Sequence, residues 1–217
     1  MNHPGSVSIL HLELSELLDR LGSSDPSPGG GAAAALVGAL GAALVQMTAS
    51  LTIGRPRFAE VQAQAAEIIE RAGALRARLA ALADADASAY AQVSGAYRMP
   101  RDDDAQKAAR SAAIQAALQS AARVPLDTAH ACAEVLQLAE EAVPLLNAMV
   151  ISDVVVGALL AESGLESAAV NVEINLRSMK DSAAVERLSN ELQGIRSGAG
   201  ERARRVEAIG RSRFHGA

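Results

Sequence analysis

The chain has 217 residues, enough for one domain with a sizeable core. Half of it is hydrophobic, yet only 2% is aromatic and Trp is absent, so the core has to be assembled from Ala, Leu, Val and Ile at close helix–helix spacing, which favours a bundle over a sandwich. A net charge of −5 argues against bulk nucleic-acid binding while suiting a site for a cation, and the lone cysteine, Cys132, excludes a disulfide framework or a thiolate metal site. His3, His11, His130 and His215 are too scattered to suggest zinc or iron, so no metal is expected. No secretory signal pattern opens the chain, and a cytoplasmic location is the default expectation.

Leu10, Leu14, Leu17, Leu18 and Leu21 recur at helical spacing and predict a short amphipathic helix stopped by Gly22. The segment Ser24-Asp25-Pro26-Ser27-Pro28-Gly29-Gly30-Gly31 follows and opens into an alanine-rich helix. Its prolines keep the backbone out of helix, and its glycines permit close approaches that a β-carbon would forbid. The free N–H groups of the next helix point back at this turn, so Pro28, Gly29, Gly30 and Gly31 form a candidate corner for an anionic or carbonyl-rich ligand. A tight turn that merely lets two helices pack is the alternative. No Gly-Lys-Ser/Thr follows, so this is not a nucleotide-binding P-loop.

From Gly29 to Ile53 no charged residue occurs. The length would allow a membrane span, but Gln46, Thr48, Ser50, Thr52 and many small residues favour a central buried helix, and no membrane is expected. Gly54-Arg55-Pro56-Arg57-Phe58 makes a basic turn, and a long helix is predicted over about 58–95, with Val61, Ile68, Ile69, Leu75, Leu79 and Leu82 on its apolar stripe. Tyr97-Arg98-Met99-Pro100-Arg101 breaks it, and Asp102, Asp103 and Asp104 cap the next helix, which is expected to stop near Val124. Pro125 suits the first turn of another helix to about 141. Segments 147–161, 165–180 and 182–211 read as three more. No stretch alternates like a strand. The expected fold is all-α, an up-and-down helical bundle with one long central buried helix, in a single domain over residues 1–217.

Seven segments, in order, resemble the cyclodeaminase/cyclohydrolase family of folate one-carbon enzymes. They are the Ser24–Gly31 corner, Leu51-Thr52-Ile53-Gly54-Arg55, Asp86-Ala87-Ser88-Ala89-Tyr90, Ala96-Tyr97-Arg98-Met99-Pro100, Val124-Pro125-Leu126, Ile151-Ser152-Asp153-Val154 and Asn171-Val172-Glu173-Ile174-Asn175-Leu176. The resemblance implies a helical homodimer with a folate cleft near the subunit contact and no permanently bound metal or redox cofactor. It also implies that Asp86, which opens the Asp-x-x-Ala-Phe/Tyr motif, is the proton donor and acceptor. Three departures from the family pattern stand at Pro56, Arg101 and Leu146.

Hydrolysis of a methenyltetrahydrofolate requires a base to take a proton from water and an acid to protonate the departing nitrogen, and one carboxylate can do both in turn. Burial along an alanine-rich helix would raise the pKa of Asp86, and a cationic substrate would lower it. Asp84 lies on a different face and is expected to be solvated. Asp153 and Asn147 are candidates for the amino-pyrimidine edge of the pterin, with a helix cap the alternative for Asn147. Asn171 and Asn175, four apart on one face, could bond folate or a neighbouring helix. Arg55, Arg57, Arg98 and Arg101 could meet folate glutamates, or could be solvated turns. The arginines between 196 and 213 read as an exposed terminal helix. The resemblance thus implies a methenyltetrahydrofolate cyclohydrolase. The alternatives are a formimidotetrahydrofolate cyclodeaminase, which releases ammonia, and a non-catalytic bundle that binds folate or protein.

Overall fold

Helix α2 (Gly30–Ser50) forms the centre of the computed structural model, which describes residues 8–214. Before it come a 3-10 turn (Ile9–His11) and α1 (Leu14–Leu21), whose end is capped by Gly22. After it come a 3-10 turn (Pro56–Val61), α3 (Gln62–Tyr97), α4 (Asp104–Ala142), α5 (Ile151–Leu176), α6 (Ser182–Arg196) and α7 (Ala199–Phe214). Among the described residues there is no strand, and the all-α expectation holds. His3 and His215 lie outside the described residues.

α2 packs against α3, α4 and α5. Its buried positions are almost all Gly or Ala, so its neighbours approach to backbone contact. A β-carbon at Gly41 would lie 2.6 Å from the Gly157 carbonyl oxygen of α5, and one at Gly157 would lie 2.8 Å from that of Gly41. Gly31 faces Asp86 while Gly73 faces Gln46, and Gly30 faces Asn171 while Gly41 faces Gly157, so α3 and α5 both run antiparallel to α2. The buried hydroxyls of Thr48 and Thr52 donate to the carbonyls of Leu44 and Thr48, as polar groups in an apolar helix must. By length and composition alone, α2 and the segment Ala148–Leu176 could each cross a membrane, and in this fold they pack on one another. The Cys132 side chain fills the gap facing Gly38 and Gly164, and burial pushes its thiol up to about 12.

Three expected boundaries differ. The chain does not stop before Pro125, because α4 runs through it for 39 residues with apolar side chains buried on both sides of the proline. Residues 161–165 do not interrupt α5. Gly164 is there because a β-carbon would meet the Ala34 carbonyl oxygen at 3.0 Å, and helix contact rather than termination explains it. The span 182–211 is two helices, divided where Gly198 adopts a φ of +76°. The C-terminal arginines are also less free than expected. Arg202 and Arg205 both pair with Glu140, Arg196 pairs with Glu166 and Glu173, and Arg213 donates to the Val143 carbonyl.

Candidate functional site

The glycine corner and Asp86 meet. Asp86 sits on α3 opposite the first turn of α2, and its Oδ2 accepts from the Ala32 N–H at 3.0 Å. A free N–H of the helix terminus is thus occupied by the protein's own carboxylate rather than left for an anionic ligand. Gly31 makes the approach possible, since a β-carbon there would fall 2.0 Å from Asp86 Oδ1. Burial raises the Asp86 pKa above the ordinary aspartate value, and the Ala32 N–H opposes that rise by favouring the anion. Asp84 is half-buried and bonded rather than free in solvent. It accepts from the Ser8 hydroxyl at 2.5 Å and the Ile9 N–H at 2.7 Å, pinning the N-terminal turn beside the corner.

Asp86 lines a cavity of about 310 Å³ with Ser27, Gly29, Gly30, Gly31, Tyr90, Asn171, Ile174 and Asn175. Pro28 is buried behind the corner and is not among the lining residues. No Lys, Arg or His lines it. The Asn175 amide nitrogen donates to the carbonyls of Ala121 (3.0 Å) and Asn171 (2.9 Å), and that of Asn171 donates to Ser167 (2.9 Å). Among the described residues neither Oδ1 has a partner at the cavity. The wall therefore combines one half-buried carboxylate with carboxamide oxygens, an environment suited to a cation bearing N–H donors. A larger concavity of 550 Å³ beside α5 and α6 lacks this chemistry, since its Arg196 is already paired. Among the described residues no three His, Cys, Asp or Glu side chains gather as metal ligands.

The remaining candidates lie elsewhere in the protomer. Asn147 caps the 3-10 turn Ala148–Val150, and its Oδ1 accepts from Met149 N–H and from Arg57 at 2.7 Å. Its own N–H donates to Thr52 Oγ1, so its polar groups are engaged by the fold. Asp153 is half-buried in the first turn of α5. With the exposed Arg55 they sit toward the opposite end of α2 from Asp86, by helix rise about 20 Å away for Asp153 and about 30 Å for Asn147 and Arg55. Arg98 and Arg101 are exposed at the α3–α4 turn. Arg98 is bonded to Ser94 and lies about 18 Å beyond Asp86 along α3. Pro56 opens a 3-10 turn, and Leu146 is wholly buried.

Reasoning from sequence overlooked Tyr90, Val93, Ile174 and Ala121 as cavity residues. Tyr90 and Val93 stand four and seven positions after Asp86, on the same helix face, so spacing could have found them. Nothing local marks Ala121, which reaches the cavity only through the packing of α4 on α5.

The chain and its fold are similar to those of known proteins. A sequence model for the family described as formiminotransferase-cyclodeaminase matches residues 13–194. The methenyltetrahydrofolate cyclohydrolase of Methylorubrum extorquens is 45% identical over 183 residues, covering 84% of this chain and 88% of that protein. The formimidoyltransferase-cyclodeaminase of Rattus norvegicus is 33% identical over 188 residues, 87% of this chain but only 35% of the longer relative. Among solved structures, formiminotetrahydrofolate cyclodeaminase from Thermotoga maritima superposes with a TM-score of 0.84 at 27% identity, covering 94% of this chain and 98% of that one.

Proposed function

This chain belongs to the formiminotransferase-cyclodeaminase family, and on that premise we propose that it is an enzyme that hydrolyses 5,10-methenyltetrahydrofolate to 10-formyltetrahydrofolate. The observation that carries the reading is the half-buried Asp86 carboxylate, held at the Gly31 corner in a cavity with no cationic side chain. The methenyl bridge is a cationic carbon between two nitrogens, so a solitary carboxylate both attracts it and serves as its proton carrier. Folate is the substrate here, not a resident cofactor.

Asp86 takes a proton from water as the oxygen bonds to the bridge carbon. The protonated Asp86 then passes that proton to N5 as the carbon–N5 bond breaks. The hydroxyl proton leaves as the formyl C=O forms, so one water is consumed and one proton released. A raised Asp86 pKa suits a group that must act as base and then acid near neutral pH. Asn171 and Asn175 offer their oxygens to N–H groups of the bound ring. Arg98 and Arg101 lie where a glutamate tail leaving the cavity along α3 would pass.

A second copy of the chain belongs on the outer face of α2 and α5. Leu40 is 58% exposed there, and Val156, Leu159, Val170 and Ile174 extend the apolar surface along α5. Ile174 also lines the cavity, so this face is continuous with the site. An antiparallel dimer on it would bring the far end of one protomer, with Arg55, Asn147 and Asp153, toward the cavity of its partner.

The structural likeness to a cyclodeaminase favours a second reading, in which N10 attacks a formimino carbon at the same Asp86 and ammonia departs. Bleaching of the near-ultraviolet band of 5,10-methenyltetrahydrofolate tests the first reading. Growth of that band with ammonia release from 5-formiminotetrahydrofolate would replace it with the second, and absence of both activities would remove both.

A further inference from the structure

Pro125 lies inside α4 and is buried. A proline has no N–H, so the carbonyl four residues earlier, that of Ala121, loses its helical partner. A buried carbonyl left unpaired is costly, and the fold supplies a donor from another helix: Asn175 Nδ2 of α5, at 3.0 Å. The second hydrogen of the same amide goes to the Asn171 carbonyl at 2.9 Å. Both donors of Asn175 are thereby spent on backbone oxygens. Turning the amide over would set its oxygen against two carbonyl oxygens, so only one orientation is favourable. That orientation leaves Oδ1 as the group Asn175 offers to the cavity it lines.

We propose that Pro125 is a positioning residue for the site. By withholding an N–H from α4 it frees the Ala121 carbonyl to lock the Asn175 amide, so that the cavity presents an acceptor beside Asp86 and selects a ring edge that donates hydrogen bonds. The pterin amino-pyrimidine edge is such a donor, and for the identity of the ligand the inference rests on the folate reading above. A proline kept in a helix interior, where it ordinarily destabilises, is accounted for by what its gap does for the neighbouring helix.

The test restores the N–H. In Pro125→Ala, and in Pro125→Ser should the first variant not fold, the new N–H donates to Ala121 and competes with Asn175. Hydrogen exchange of the Asn175 side-chain amide, followed by NMR on asparagine-labelled protein, is expected to be slow in the unmodified chain and at least tenfold faster in the variant. The KM for 5,10-methenyltetrahydrofolate is expected to rise about tenfold, the effect of one lost hydrogen bond, with kcat changing less. The unfolding temperature should not fall in step, because the helix has gained a bond. Asn175→Ala should then cost far less affinity in the Pro125→Ala background than alone, whereas a purely structural role predicts additive losses. Rapid exchange in the unmodified chain, unchanged exchange in the variant, or additive losses would each overturn the proposal. If the unmodified chain turns over neither folate, the functional reading fails, and the exchange measurement still decides whether Pro125 holds Asn175.

Discussion

The Asp86 carboxylate occupies the space that a side chain at Gly31 would need: the missing β-carbon would lie 2.0 Å from Oδ1 and 2.5 Å from Cγ. The glycine is therefore a steric requirement of the acid's position. Its neighbour differs, since a β-carbon at Gly30 would meet Asn171 Nδ2 at an ordinary 3.6 Å.

Gly31→Ala is accordingly expected to push the carboxylate aside and lower turnover by about 100-fold, the scale of a 1 Å misplacement of a reacting group. Overpacking should also destabilise the fold by about 1–3 kcal/mol. Gly30→Ala should retain stability and change turnover far less. Steady-state kinetics and thermal unfolding on the pair check this, and equal damage from both would show that the corner matters only as backbone.

Asp86→Asn should reduce turnover by about 10²–10⁴-fold, as loss of a general acid–base does, while folate binding stays within a few-fold. Its stability should move the other way. Because burial raises the folded-state pKa of Asp86, the native state holds its proton more tightly than the unfolded chain. Native stability therefore falls as pH rises from the ordinary aspartate value through the raised one. The Asn variant lacks that loss, so its advantage should be absent in acid and grow toward neutrality. Unfolding temperatures across pH 3–8 measure it, and an advantage confined to acid would contradict the assigned shift.

Gly41→Ala should separate α2 from α5, since the added carbon would meet the Gly157 carbonyl at 2.6 Å and backbone cannot swing away as a side chain can. A loss of about 1–3 kcal/mol is expected, which lowers the unfolding temperature by several degrees in a chain of this size.

Leu40→Glu places a charge on the exposed apolar face of α2 and should convert the proposed dimer to a monomer, read by light scattering. A persistent dimer would put the subunit contact elsewhere. A monomer with full activity would separate the contact from the site.

The glycine corner and Asp86 were each legible as local motifs, the corner with a tight packing turn as its alternative and Asp86 through the family resemblance, whereas the contact between them belongs to the packing of α3 on α2. The α4 boundary was not legible. Proline in a helix interior is disfavoured by its missing bond, and only the Asn175 amide arriving from α5 shows how that deficit is met. Asn147 likewise reads equally as ligand or cap until Arg57 and Met149 are seen to occupy its oxygen.

An aromatic-poor, alanine-rich composition and unbroken helical periodicity were enough to require a close-packed all-α bundle, since small residues bury area only when helices nearly touch. The glycine corner was visible in short-range spacing, and the resemblance to a known family implied a role for Asp86. Packing in three dimensions decided which distant groups share the cavity: it brought Ala121, Asn171 and Asn175 to Asp86 and carried Arg55, Asn147 and Asp153 to the other end of α2. The reason is that spacing along a chain specifies a face of one helix, whereas the depth at which two helices cross, set here by Gly41 against Gly157, specifies which faces meet.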